Sequence, residues 1–265
     1  MKLKTVRARQ GLQWVRSGFG VFFRQPLGLS AMFAAVAFGA LVLLQMPLIG
    51  PVLALGLMPL GSIAFMIATR EVLAGRNAHP GLLLHPLRRP QRRRALLQLG
   101  AVYAAAALAV VLLAHLLDGG RFAAAMQAVA ENEATPELLS DPLLEFGVLL
   151  RLVLMTLLSL VFWHAPALVF WDDMPVGKAL FASMLACLRS VGAFALYGVA
   201  WFFLLLSFML VAQTLLALLG MAQATAHAAF PAMMLFSTVF YASLYFTYAD
   251  SFEADPPESA ALEGT

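Results

Sequence analysis

The chain has 265 residues, of which 62% are hydrophobic and 12% charged, and its formal net charge is +3. Soluble domains run at roughly 45–50% apolar and about 25% charged, and they tolerate exposed apolar patches of only a few hundred Å². A soluble globular protein is therefore excluded, as is a disordered chain, which needs low hydrophobicity and high charge.

In chain order, the first patterned segment is 10–24, where Leu12, Val15, Phe19 and Phe22 recur at helical spacing with Gln13 and Arg16 elsewhere on the wheel. This predicts an amphipathic helix lying on a leaflet, with Trp14 and Phe23 as interfacial anchors. The alternative is an extension of the first span that packs on its neighbours. A helix crossing a hydrocarbon layer of roughly 30 Å needs about 20 apolar residues. No Asp, Glu, Lys or Arg occurs in residues 25–69, which suits spans at 27–46 and 51–69 with a turn at Pro47-Leu48-Ile49-Gly50-Pro51. The apolar run after the basic N-terminus is too long for a secretory signal's core, so the first span reads as uncleaved.

Residues 70–94 form a basic loop rich in Gly and Pro, ending in Arg88-Arg89-Pro90-Gln91-Arg92-Arg93-Arg94. A third span follows at 96–117. The loop 118–145 carries six acids and one base, Arg121, with a short helix expected at 122–133 and turns at Thr135-Pro136 and Asp141-Pro142. A fourth span covers 146–170. The stretch 176–189, starting just inside Pro175, carries the stripe Leu180, Met184, Cys187 and Leu188 and reads as a second interfacial helix. Spans five and six fall at 192–214 and 229–249. The remainder, 250–265, holds five acids and reads as a disordered tail. The pairs Gly11/Gly177 and Ser17/Ser183 share one offset, hinting at a parallel repeat of helix plus hairpin. The expected fold is an all-α polytopic transmembrane bundle of about six spans plus two interfacial amphipathic helices, in a single domain covering 1–249.

Lysine and arginine are gathered on one side of this bundle, 15 of the 17 preceding span one, between spans two and three, or between spans four and five. Basic flanks stay cytoplasmic, so both termini are expected inside a bacterial inner membrane. Arg88, Arg89, Arg92, Arg93 and Arg94 are the candidate contacts for anionic lipid headgroups, or act through topology alone. Nucleic acid is not expected as a partner, because no aromatic residues interleave with the arginines.

Inside the spans, Gln45, Arg151 and Gln213 are the candidate polar positions. Arg151 is expected to snorkel to the outer headgroups, and the two glutamines to hydrogen-bond between helices. Ala101, Ala105 and Ala109 offer a small-residue face for close packing, and Gly56, Pro59 and Gly61 suggest a kink. His115, His164 and His227 scatter over different depths with no partner at ligand spacing. The single Cys187 excludes a cysteine zinc cluster. Val176-Gly177-Lys178-Ala179 lacks the leading glycine and following hydroxyl of a phosphate-binding loop, and no hydrolase elbow or zinc-protease motif occurs. No cofactor, metal or catalytic residue is predicted.

The order of short motifs resembles a family of uncharacterised proteobacterial six-span integral membrane proteins. The matching elements are Gly11-Leu12-Gln13-Trp14 with Gly18 and Phe22 before Pro26, then Ala165-Pro166-Ala167-Leu168-Val169. Pro175, Ala179-Leu180 and Ser183 follow, and Tyr245-Phe246-Thr247-Tyr248 closes span six. The resemblance implies an inner-membrane location and no assigned activity. A non-enzymatic scaffold or envelope-associated protein is the leading expectation. A small-solute transporter or channel built around Pro59 and Gln213 is the alternative, and a membrane-embedded enzyme the third.

Overall fold

The computed structural model of the chain describes residues 2–133, 135–221 and 225–253. In chain order the elements are β1 Lys2–Leu3, α1 Gln10–Arg24, α2 Pro26–Leu44 and α3 Ile49–Leu73, then a 3-10 helix Pro80–Arg88 and α4 Pro90–Leu117. There follow α5 Arg121–Ala130, α6 Pro136–Leu139, α7 Pro142–Phe162, α8 Ala165–Trp171 and α9 Val176–Arg189, and last α10 Val191–Leu218, α11 Thr225–Ser251 and β2 Phe252–Glu253. Six of these units are long and apolar enough to cross a membrane: α2, α3, α4, α7 with α8, α10 and α11. Their outward faces carry Phe38, Leu112, Leu149, Leu152, Phe202 and Met209, all exposed. Only hydrocarbon accepts such a surface without penalty.

α3 is the central helix and packs on α2, α4, α8 and α11. Every residue from Ile63 through Thr69 is buried, so this stretch is surrounded on all sides. α3 and α4 cross closely at a pair of glycines, where a Cβ added to Gly100 would lie 2.2 Å from the Gly56 carbonyl oxygen. Ala104 and Ala107 continue that buried face, while Ala101, Ala105 and Ala109 point outward. The close-packing face is thus rotated from the alanine stripe expected from sequence. α3 runs unbroken through Pro59.

The fourth span is interrupted. Pro166 lacks an N–H and its ring crowds the carbonyl four residues earlier, which breaks a helix. The chain accordingly leaves α7 at Phe162 and restarts at Ala165. Ser183 of α9 repairs the gap, since its hydroxyl accepts from the His164 N–H at 2.9 Å and donates to the Leu160 carbonyl at 3.1 Å. Ser183→Ala strands the buried His164 N–H and leaves the Leu160 carbonyl only the Cys187 thiol at 3.5 Å, and an unpaired buried group costs about 1–3 kcal/mol. A lowered melting temperature in detergent is expected. An unchanged one shows that the break is satisfied elsewhere.

Each hairpin of spans is preceded by a short helix at the end of the bundle that carries the basic segments. The 3-10 helix packs on α3 and α2, the hairpin before it, and α9 packs on α7, α8 and α4, which make up the hairpin before it. α1 has no hairpin before it in the chain, and packs instead on α10 and α11, the last one. The arrangement is therefore cyclic, with α1 in the slot that closes the ring. α10 and α11 diverge around it and touch each other little.

α1 buries Gly11, Trp14, Val15, Gly18, Val21 and Phe22, and leaves Leu12 exposed. Trp14 is 1% exposed, so it is a core residue and no interfacial anchor, while Phe23 does face outward. Two glycines allow the seat: a Cβ on Gly11 would lie 2.3 Å from the Ala193 carbonyl oxygen, and one on Gly18 would lie 2.9 Å from that of Val239. At the basic end Asp250 Oδ2 accepts from Trp14 Nε1 at 2.7 Å and Gln10 Nε2 at 2.8 Å. α9 likewise buries Ala179, Ser183, Ala186 and Cys187, with Leu188 exposed. Within the suggested repeat the element order recurs. The paired residues differ in setting, Gly11 being packed and Gly177 open.

α11 extends to Ser251, and Phe252–Glu253 pairs antiparallel with Lys2–Leu3. Residues 250–253 are thus held to the bundle. The rest of the predicted tail, 254–265, lies outside the described residues, as does the side chain of His227.

Candidate functional site

The arginine cluster straddles the junction between the 3-10 helix and α4. Sequence reading left it in a loop. Pro90 instead occupies the first helical position, where its fixed φ and missing N–H are compatible with a helix start, so Arg92, Arg93 and Arg94 fall in the first turns of α4. That first turn holds no acid. Arg88, Arg89, Arg93 and Arg94 are exposed.

Arg92 differs, and the expectation that it faces lipid headgroups is corrected. Its guanidinium lies 5.4 Å from the Phe170 ring centroid, donates to the Phe170 carbonyl, and forms an ion pair with Asp173 at 2.6 Å. It thereby pins the start of α4 to the end of α8. Nearby, Arg70 sits 6.0 Å from the Trp171 ring and Arg76 pairs with Glu71. Gln25 holds the segment after α3, donating to the Arg76 carbonyl at 2.9 Å and accepting from the Ala78 N–H at 2.7 Å. These contacts place the basic segments together at one end, with both described chain termini.

At the opposite end lies Arg151. Sequence reading has it snorkelling outward; the structure turns it into a buried ion pair with Asp118 at 2.6 Å. Its Cζ also lies 4.4 Å from the Phe122 ring centroid, and Nη1 donates to the Gly147 carbonyl at 3.0 Å. Asp118 is fully buried and accepts from the N–H groups of Gly120 at 2.9 Å and Phe122 at 3.3 Å. It closes α4 and starts α5 with one carboxylate. Burial acts to raise the Asp118 pKa, but the Arg151 guanidinium and the two amides outweigh it and hold the carboxyl below its usual range. Gly147 makes room, since a Cβ there would lie 2.5 Å from Asp118 Oδ2. Arg121 and Asp141 form a second, looser pair at 3.4 Å.

The two glutamines lie apart. Gln45 ends α2 in an exposed position, and its closest hydrogen-bond partner is the Leu41 carbonyl at 3.5 Å. Gln213 lines an apolar groove of about 540 Å³ between the diverging α10 and α11, with Trp201, Phe208, Met209, Met233 and Phe236. Among the described residues, neither makes the interhelical bond expected. Pro59 is buried on α3 and does not line that groove, so the structure does not gather Pro59 and Gln213 into one cavity.

A buried polar group not anticipated as a unit lies at the α7–α8 break. Cys187 Sγ is 3.8 Å from His164 Nδ1, with Phe194 and Phe252 closing over the imidazole. Burial pushes the Cys187 thiol up to about 12, which leaves it protonated and unreactive near neutral pH. Among the described residues, no three His, Cys, Asp or Glu side chains group as metal ligands.

Six apolar spans, short helices at one end and internally paired charges define a polytopic all-α membrane protein. Across its full length the chain is 32% identical to a probable inner membrane protein of Burkholderia thailandensis, covering 99% of that protein. The chain belongs to that family of proteobacterial inner membrane proteins. No family model matches the chain. No solved structure matches it either.

Proposed function

We propose that the protein is a non-enzymatic scaffold of the inner membrane, with both termini in the cytoplasm, whose basic end holds anionic headgroups of the inner leaflet. The observation that carries this reading is the exposure of Arg88, Arg89, Arg93 and Arg94 at the end where the other basic segments gather. Arg92 and Arg151, by contrast, are consumed by internal pairs. Basic residues flanking spans favour the cytoplasmic face, where anionic lipid attracts each of them with about 1 kcal/mol. Several polar groups inside the bundle are bonded within it: Ser183 at the helix break, the half-buried Asp250 under α1, and Tyr197 bonded to Ser243 at 2.6 Å.

The test is association of the protein, held in zwitterionic nanodiscs, with vesicles rich in phosphatidylglycerol. Replacing Arg88, Arg89, Arg93 and Arg94 together with glutamine is expected to weaken it by about 100-fold or more at low salt. Raised salt should weaken the native protein's association in the same direction. Equal association by the native and substituted proteins overturns the reading.

A further inference from the structure

The arginine cluster is not uniform, and one part of it is continued into the membrane by a surface of matching polarity. Pro90, Arg93, Arg94, Leu97, Gln98 and Ala101 line one shallow depression on α4. Their spacing puts them on a single face of the helix, and all of them are exposed. Along this face the chemistry changes in order: two guanidiniums at the basic end, then an amide, then an apolar strip. At 1.5 Å per residue, Ala101 lies about 10 Å deeper along the helix than Arg94.

That order is the order of groups in a glycerophospholipid. We propose that this face of α4 docks one anionic phospholipid of the leaflet at the basic end. Its phosphate pairs with Arg93 and Arg94, a glycerol ester carbonyl accepts from the Gln98 amide, and one acyl chain lies along Leu97 and Ala101. Charge complementarity selects the headgroup. The two guanidiniums have no carboxylate partner among the described residues, and forked N–H donors suit phosphate oxygens. Arg92 is excluded from this site by its bond to Asp173. Arg88 and Arg89 lie outside the depression and contribute only to the general field of the basic end. The inference rests on the lipid-binding reading above, and narrows it from a charged surface to a built contact for one molecule.

The experiment is native mass spectrometry of the detergent-purified protein titrated with phosphatidylglycerol, and with phosphatidylcholine as the comparison lipid. A single phosphatidylglycerol adduct is expected that outlasts the others. Arg93→Gln with Arg94→Gln should weaken it by about 30-fold, at a near-surface charge contribution for each residue. Arg88→Gln with Arg89→Gln should leave it within about threefold, because neither lines the depression and their field at the bound phosphate is screened by solvent. Ala101→Phe, which fills the apolar strip on an exposed position, should also displace it, and melting temperatures of all variants should match the native protein. If both arginine pairs weaken the adduct equally, or if Ala101→Phe leaves it intact, the docked-lipid proposal fails while the headgroup reading stands. If none of the variants alters association with anionic vesicles or lipid, both fail.

Discussion

Arg151→Met is expected to destabilise the protein by about 3 kcal/mol, because breaking a buried pair leaves its partner charged and unpaired. That figure is the low end of the range for buried pairs, since the site lies at the rim of the bundle. The left-behind group is Asp118, fully buried and joined to the α5 amides. Asp118→Leu with Arg151→Met removes both charges and should recover much of the loss, as apolar replacements of whole buried pairs commonly do. Gly147→Ala should act like the single variant, since its methyl group would occupy the carboxylate's place. The readout is thermal unfolding in detergent, and equal melting temperatures for the native protein and Arg151→Met overturn the assignment.

The same pair sets a pH dependence with a definite sign. The folded-state pKa of Asp118 is depressed from its ordinary 3.8. The stabilisation is then fully present above the unfolded-state value and is lost as pH falls through the lower, folded-state one. Between neutrality and about pH 5 the melting temperature should not respond through this group; below about pH 4 it should fall. Asp118→Asn should be destabilised at neutrality and lack that part of the acid response.

Gly11→Leu is the second large effect, and concerns how α1 is held. No side chain fits between α1 and α10 at that point, where a Cβ would lie 2.3 Å from one backbone oxygen and 2.7 Å from the Tyr197 nitrogen. The helices must separate, which withdraws Trp14 from Asp250 and from its ring contacts with Phe194 and Tyr197. A loss of about 3 kcal/mol is expected, at the upper end for overpacked cores. Cleavage at Arg16 and Arg24 by trypsin should quicken. Gly20→Leu is the control on the same helix, because nothing lies within 4 Å of its added Cβ. If both substitutions behave alike, the effect belongs to helix propensity and the seat of α1 is incidental.

The six spans were legible in sequence because they are written in a coarse signal, the gaps between charges. The facing of each helix was not. The stripes expected to face the leaflet divide: Leu12 and Leu188 are exposed, but Val15, Phe22 and Cys187 of the same stripes are buried in the bundle, where Gly11, Gly18, Ser183 and Gly100 make the close contacts. The reason is the solvent. In water a leucine stripe marks the core, but lipid tails are as apolar as leucine, and close approach of small residues becomes the main source of packing. A leucine stripe therefore does not tell a lipid-facing side of α1 or α9 from a packed one, and at α4 the expected small residues Ala101, Ala105 and Ala109 lie one or two positions from the buried Gly100, Ala104 and Ala107. The arginine cluster was found, because charge marks it directly. Its division into Arg92 and the rest was hidden, since it depends on Asp173 and on the turn that brings α8 beside α4. Asp118 escaped notice as Arg151's partner for a similar reason: they are brought together by the hairpin of α4 and α7.

The cyclic placement of α1 has a consequence for how the molecule is made. Ribosomes extend a chain from its amino end, and domains settle in that order during synthesis. Yet the binding seat of the earliest helix consists of the two latest spans, more than 160 residues downstream. Until α10 and α11 have been made, the side of α1 that carries Trp14 lacks the partners it holds in the folded bundle.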